Sequence, residues 1–203
     1  MAELGVWPLI QFGLVAGFLH SLDADHLAAV GGMASRQASP KGWPVFSLRW
    51  AMGHGAAIIL ISAVVLLLGA AIPHEFSALA EGAVAYMLIA IGLLAGWQLI
   101  AEHRGWPRKK ESGKAAAFIG LIHGSAGSAP LLALLPAAAT ESFGFGMTYI
   151  LLFCISVVLA MLGLGQLMKF SLLGVGQHLQ RISLMTRGFF ASLSIIVGIY
   201  LIL

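Results

Sequence analysis

Continuous apolar runs decide the solvent in which this chain folds. Residues 55–72, 82–101 and 145–168 contain no Asp, Glu, Lys or Arg. A helical membrane crossing needs about 20 mostly apolar residues. Runs without alternation argue against a transmembrane β-barrel, whose strands alternate apolar and polar positions. Over 203 residues, 60% are hydrophobic and 9% charged, and mean hydropathy is +0.96. A soluble domain carries about 25% charged residues. The expectation is an all-α polytopic membrane protein of about six spans, with no sizeable soluble domain.

Against that background His20, Asp23, Asp25 and His26 stand out. They fall within HSLDADH, in an otherwise apolar segment. Ionisable groups at membrane depth are costly and usually functional. At 3.6 residues per turn, His20, Asp23 and His26 share one side of a helix, and Asp25 points away unless the helix breaks. Imidazole nitrogens with carboxylate oxygens suit divalent metals such as Ni, Co, Zn or Mn. Asp25 is either a ligand or a group that orients a ligating histidine. A polar packing network and a metal-free proton relay are the alternatives.

The spans are read at about 7–33, 46–72, 76–99, 115–138, 145–169 and 187–203. Pro73 closes the second, and Pro130 and Pro136 predict a break in the fourth. Gln177 to Arg181 reads as an interfacial amphipathic segment. The N-terminus has no basic region and carries Glu3, so no cleaved signal is expected. Arg36 and Lys41 fall between spans one and two. Arg104, Arg108, Lys109, Lys110 and Lys114 fall between three and four, and Lys169, Arg181 and Arg187 between five and six. The opposite connections carry Glu3, His74, Glu75 and Glu141 instead. The positive-inside rule therefore puts both termini outside the cell (inner) membrane and the basic loops in the cytoplasm. The net charge of +3 sits in these loops and does not indicate nucleic-acid binding. The lone Cys154 excludes an intramolecular disulfide.

The basic linker, 103–114, divides the single transmembrane domain into 1–102 and 115–203, with three spans each. An odd number makes the halves antiparallel, which is a 3+3 inverted repeat with its site where the opening helices break. Each half opens with a span that holds a histidine beside small polar residues, from His20 in the first and from His123 in the second. His26, His54 and His123 each lie about 12 Å from the cytoplasmic end of their spans, at 1.5 Å per residue. Three histidines on three helices at one depth are what a shared site requires. Ser125 and Ser128, in HGSAGSAP, are pathway candidates. Arg49 can pair with an aspartate or reach back to the interface, and Glu81 can line the outer mouth. His74, His103 and His178 fall outside the spans.

The stretch His20-Ser-Leu-Asp-Ala-Asp25-His26, followed by Gly53-His54 in the next span, resembles the signature of the nickel/cobalt transporter family. The resemblance implies that His20, Asp23, Asp25, His26 and His54 take part in recognising Ni²⁺ or Co²⁺. The departures are clear. Longer members carry the signature on their second span, here it lies on the first, and the family's later acidic motif is absent. HGSAGSAP stands there instead, as in shorter relatives described as urease- or hydrogenase-accessory membrane proteins. The wider lysine-exporter-type superfamily has the three-plus-three layout.

The sequence thus reads as a secondary transporter for a divalent transition metal, Ni²⁺ or Co²⁺ ahead of Zn²⁺ or Mn²⁺. The metal is cargo, and no other cofactor is expected. No nucleotide-binding motif and no nucleophile–base pair is present, so an enzyme is not expected. The alternatives are a metal-binding accessory protein for urease or hydrogenase maturation and a small-solute exporter of the same fold. The lipid bilayer, a second copy of the chain and a metallochaperone are the candidate partners.

Overall fold

The computed structural model describes residues 6–34, 36, 40–69, 72–106, 113–126, 133–134, 136–139, 142–173 and 179–203. The expectations for Glu3, Arg108, Lys109, Lys110, Ser128, Pro130, Glu141, Gln177 and His178 concern residues outside this set. The described residues contain helices and no strands. The helices are α1 (Val6–His20), α2 (Ala24–Ala34), α3 (Trp43–Leu68), α4 (His74–His103), α5 (Gly113–Gly124), α6 (Phe143–Leu173) and α7 (Leu179–Tyr200), with a 3₁₀ turn at Pro40–Gly42 before α3.

Four helical stretches, Trp43–Leu68, His74–His103, Phe143–Lys169 and Ile182–Tyr200, are long and apolar enough to cross a membrane. Leu60, Leu67, Leu79, Leu93 and Ile196 on these helices are more than half exposed. In water such a surface would drive association; in lipid it is the solvent-matched face. The chain is a membrane protein. α1, α2 and α5 are too short to cross alone, since 15, 11 and 12 residues rise only about 16–22 Å at 1.5 Å each.

Helix ends follow local chemistry. α3 carries Pro44 in its first turn and stops at Gly69, whose φ of 61° is left-handed. It therefore ends before Pro73, which instead precedes the first turn of α4. α7 begins at Leu179, well before the span expected from Arg187 onward. Arg187 does not end a helix because it is neutralised within one. It is buried on α7, and its two terminal nitrogens donate to the two Glu102 oxygens on α4, both at 2.8 Å.

α3 is the central helix, packed along α5 and α6; α1 lies on α6, and α7 lies on α4 and α2. Small residues set these distances. A methyl at Gly53 would strike the Ala117 carbonyl oxygen, one at Gly120 that of Trp50, and one at Gly124 that of His54. Backbone contact between α3 and α5 therefore requires glycine at these places, as in membrane helix packing generally. On the α1–α6 side, a methyl at Gly17 would strike the Phe153 carbonyl, and Ser156 Oγ donates to the Leu14 carbonyl at 2.6 Å. Between these seams lies a core of Trp50, Tyr149, Phe153, Met33, Ile58 and Leu88.

The Glu102–Arg187 pair yields a stability prediction. Glu102→Ala leaves a buried guanidinium without its carboxylate and should cost about 3 kcal/mol. Thermal unfolding in detergent should show a clear drop, and the apolar double variant Glu102→Leu/Arg187→Met should recover most of it. An unchanged melting curve for Glu102→Ala would show that the pair does not hold α4 against α7.

Candidate metal centre

α1 stops at His20 and α2 starts at Ala24. Between them the backbone tightens: Leu22 N–H donates to the Leu19 carbonyl at 3.0 Å and Asp23 N–H to that of His20 at 3.1 Å. Helix bonding resumes with Leu27 N–H donating to the Asp23 carbonyl. The charges suit the ends they occupy. Asp23 and Asp25 sit at the positive N-terminus of α2, and His20 occupies the last turn of α1, at the negative end of that helix dipole. His123 likewise lies in the last turn of α5. Two helix C-termini therefore present histidines, and their dipoles favour a cation.

The histidines meet. His20, His26, His54 and His123 are all nearly inaccessible. The His26 ring centroid lies 4.4 Å from that of His20, 4.9 Å from His54 and 4.8 Å from His123. These contacts bring together side chains from α1, α2, α3 and α5. His54 is about 16 Å along a 26-residue helix, so the cluster lies near the middle of that span.

Two carboxylates stand behind the rings. His20 Nδ1 lies 2.9 Å from Asp23 Oδ2. His26 Nδ1 lies 3.0 Å from Asp25 Oδ1, and His123 Nε2 lies 3.0 Å from Asp25 Oδ2. A carboxylate accepts, so each of these nitrogens is the N–H. In a neutral ring the other nitrogen then carries the lone pair: Nε2 of His20 and His26, and Nδ1 of His123. This is the carboxylate–histidine arrangement that fixes tautomer and orientation behind a metal. His26 Nε2 faces His54 Nε2 at 3.5 Å.

Two overlapping ligand groups result, His20 with His26 and His54, and Asp25 with His26 and His123. In each the ligand atoms lie within 4.8 Å of one another. His20 Nε2, His54 Nδ1 and His123 Nδ1 are buried without a hydrogen-bond partner. An unmatched buried polar atom costs about 1–3 kcal/mol. Unmatched atoms occur elsewhere in the spans, at Trp43, Ser47 and Ser62, but among the described residues only this cluster gathers three on imidazoles. The donor set fits a borderline divalent ion.

Other expected residues are not brought to the cluster. Arg49 and Glu81 are exposed on α3 and α4. Ser125 Oγ donates to the Ile122 carbonyl of its own helix end at 2.7 Å. His74 and His103 are exposed. Two aromatic residues in direct contact were not expected. The Trp50 indole stacks on His54, with centroids 5.0 Å apart and planes at 15°, and Phe153 lies 5.4 Å from His20. Trp50 precedes His54 by four positions and so shares its helix face, a signal the sequence carried. Phe153, across the chain on α6, had none.

Fold and site together define a helical membrane protein with a buried histidine–aspartate cluster at a helix break. It is similar to the urease accessory protein UreH of Bacillus sp. (strain TB-90), 28% identical over 182 residues that cover 80% of this chain and 76% of that protein. No protein-family model matches the chain, and no solved structure matches it.

The geometry makes Asp25 the anchor of two rings. Asp25→Ala releases both His26 and His123 and should weaken Ni²⁺ binding by about 10–100-fold, measured by titration calorimetry in detergent. His103→Ala, at an exposed helix end, should leave it unchanged. Equal affinity of Asp25→Ala and wild type would remove the carboxylate from the site.

Proposed function

We propose that this chain is a secondary transporter for a divalent transition metal, Ni²⁺ or Co²⁺, which binds at the histidine cluster midway through the bundle. One observation carries this reading: four imidazoles from separate helical segments converge at a helix break, two aspartates orient three of them, and buried ring nitrogens are left free. A packing network needs no free nitrogens. The sequence resemblance to nickel/cobalt transporters points to the same chemistry.

In this reading α1 and α2 together form one broken crossing, and α5 with the helical residues 133–134 and 136–138 forms another. That makes six crossings in two inverted halves on either side of the basic linker, with both termini outside. Recurrent contacts support the repeat. The contact of Gly17 with the Phe153 carbonyl recurs as that of Gly120 with the Trp50 carbonyl, each partner shifted by 103 positions. Gly53 against the Ala117 carbonyl corresponds in the same way to Ser156 donating to that of Leu14. The His20–Phe153 ring contact, at 5.4 Å, has its counterpart in His123–Trp50, also at 5.4 Å. A site between two broken helices of such a repeat is the arrangement of alternating-access carriers.

The residues then divide the work. His20, His26 and His54 supply nitrogens, and His123 joins through the second group. Asp23 and Asp25 offset the cation's charge and hold the rings. Neutral imidazole is the binding form, so metal binding competes with protons, and a proton gradient is a suitable driving force. The nearby Ser21 and Ser125 hydroxyls donate to the Phe18 and Ile122 carbonyls.

A second reading has its own support. The similarity to a urease accessory protein favours a membrane component that supplies metal to a urease maturation system, with a metallochaperone as partner. Purified protein in liposomes separates the two. A transporter accumulates radioactive ⁶³Ni²⁺ down an imposed gradient, and His26→Ala abolishes the accumulation while the protein still inserts. Stoichiometric Ni²⁺ binding without any accumulation would overturn the transporter and leave the accessory role.

A further inference from the structure

We infer that Trp50 is the specificity-determining residue of the cluster: its indole walls the imidazoles on one side and denies water ligands to the bound cation. This rests on the metal-binding reading above and extends it to the choice among metals.

Trp50 is fully buried and touches three of the four histidines. It lies flat on His54 at 5.0 Å. It meets His26 at 5.3 Å with planes at 82°, and His123 at 5.4 Å with planes at 68°. Its position is not adjustable. Its carbonyl is in backbone contact with Gly120, and Gly53 and Gly124 hold the same seam closed. The indole nitrogen has no hydrogen-bond partner, so a hydrogen bond does not explain why tryptophan stands here. What the side chain contributes is a rigid apolar surface against the ligating rings.

An ion held by these nitrogens therefore has carbon on one side where a hydrated ion carries water. Mg²⁺ and Mn²⁺ favour oxygen-rich octahedral shells, and Mg²⁺ gives up water reluctantly. Ni²⁺, Co²⁺ and Zn²⁺ accept imidazole-rich shells, and Ni²⁺ also accepts four-coordinate ones. The wall costs the first group more than the second. Phe153 is the smaller contact, since among the described residues its ring meets the cluster at His20, with centroids 5.4 Å apart.

The test measures Ni²⁺ and Mn²⁺ affinities of the full-length protein in nanodiscs by titration, with the Ni²⁺ coordination number from X-ray absorption. Trp50→Phe should keep both the preference and the coordination number. Trp50→Ala should narrow the Ni²⁺-over-Mn²⁺ preference by about 10-fold, within the usual range for residues around a metal site, and should add oxygen ligands from water. Trp50→Leu reports the same quantities should the alanine variant fail to insert. Phe153→Ala should narrow the preference less. An equal loss of affinity for both metals, or an unchanged coordination number in the alanine or leucine variant, would reduce Trp50 to packing and overturn the inference alone. Wild-type protein that binds neither metal would overturn the metal-binding reading itself.

Discussion

Everything at the centre of this protein depends on the interruption of its first helix between His20 and Ala24. An unbroken helix would point Asp25 away from His20 and hold its backbone groups in its own ladder. The break puts a helix C-terminus, a helix N-terminus and two carboxylates at one place. A carboxylate in a membrane span is costly without partners, and each aspartate here has imidazole partners at about hydrogen-bond distance. The carboxylates in turn fix which nitrogen of His20, His26 and His123 carries the lone pair. Electrostatics and ligand geometry are thus settled by the same few contacts.

The rest of the bundle keeps those contacts in register. Glycine at 53, 120 and 124 lets α3 and α5 touch backbone to backbone, which carries His54 and His123 to the break. The α1–α6 seam, through Gly17 and the Ser156 hydrogen bond to Leu14, fixes the other side. The Glu102–Arg187 pair and the Gln98–Arg36 contacts tie α4 to its neighbours away from the cluster. Function and packing draw on the same small residues, so a methyl group added at Gly120 would act on the site without touching a ligand.

Much of this was legible in the sequence. Charge density picked out HSLDADH, and hydropathy gave the long spans. Counting residues from the loops put His26, His54 and His123 at one depth, and the rings do meet. Other features were hidden for physical reasons. Whether Asp25 would face a bound metal or stand behind a histidine depends on how the helix breaks, which periodicity does not encode. Arg187 read as a loop charge because its partner, Glu102, is remote in sequence. Phe153 had no signal in the sequence, and Trp50 had only its spacing of four positions from His54, since an aromatic ring in an apolar helix has no pattern that separates packing from a site wall. Arg49 and Glu81 drew attention as rare charges, but exposure on the outer faces of their helices takes them away from the cluster.

The central claim is that buried imidazoles, with carboxylates behind them, hold a divalent metal inside the membrane. X-ray absorption on purified protein loaded with one equivalent of Ni²⁺ tests it most directly. The account predicts a stoichiometric ion with a nitrogen-dominated inner shell, the multiple-scattering signature of at least two imidazoles, and no sulfur. A spectrum of fully hydrated Ni²⁺, or a shell that His26→Ala and His54→Ala leave unchanged, would contradict it.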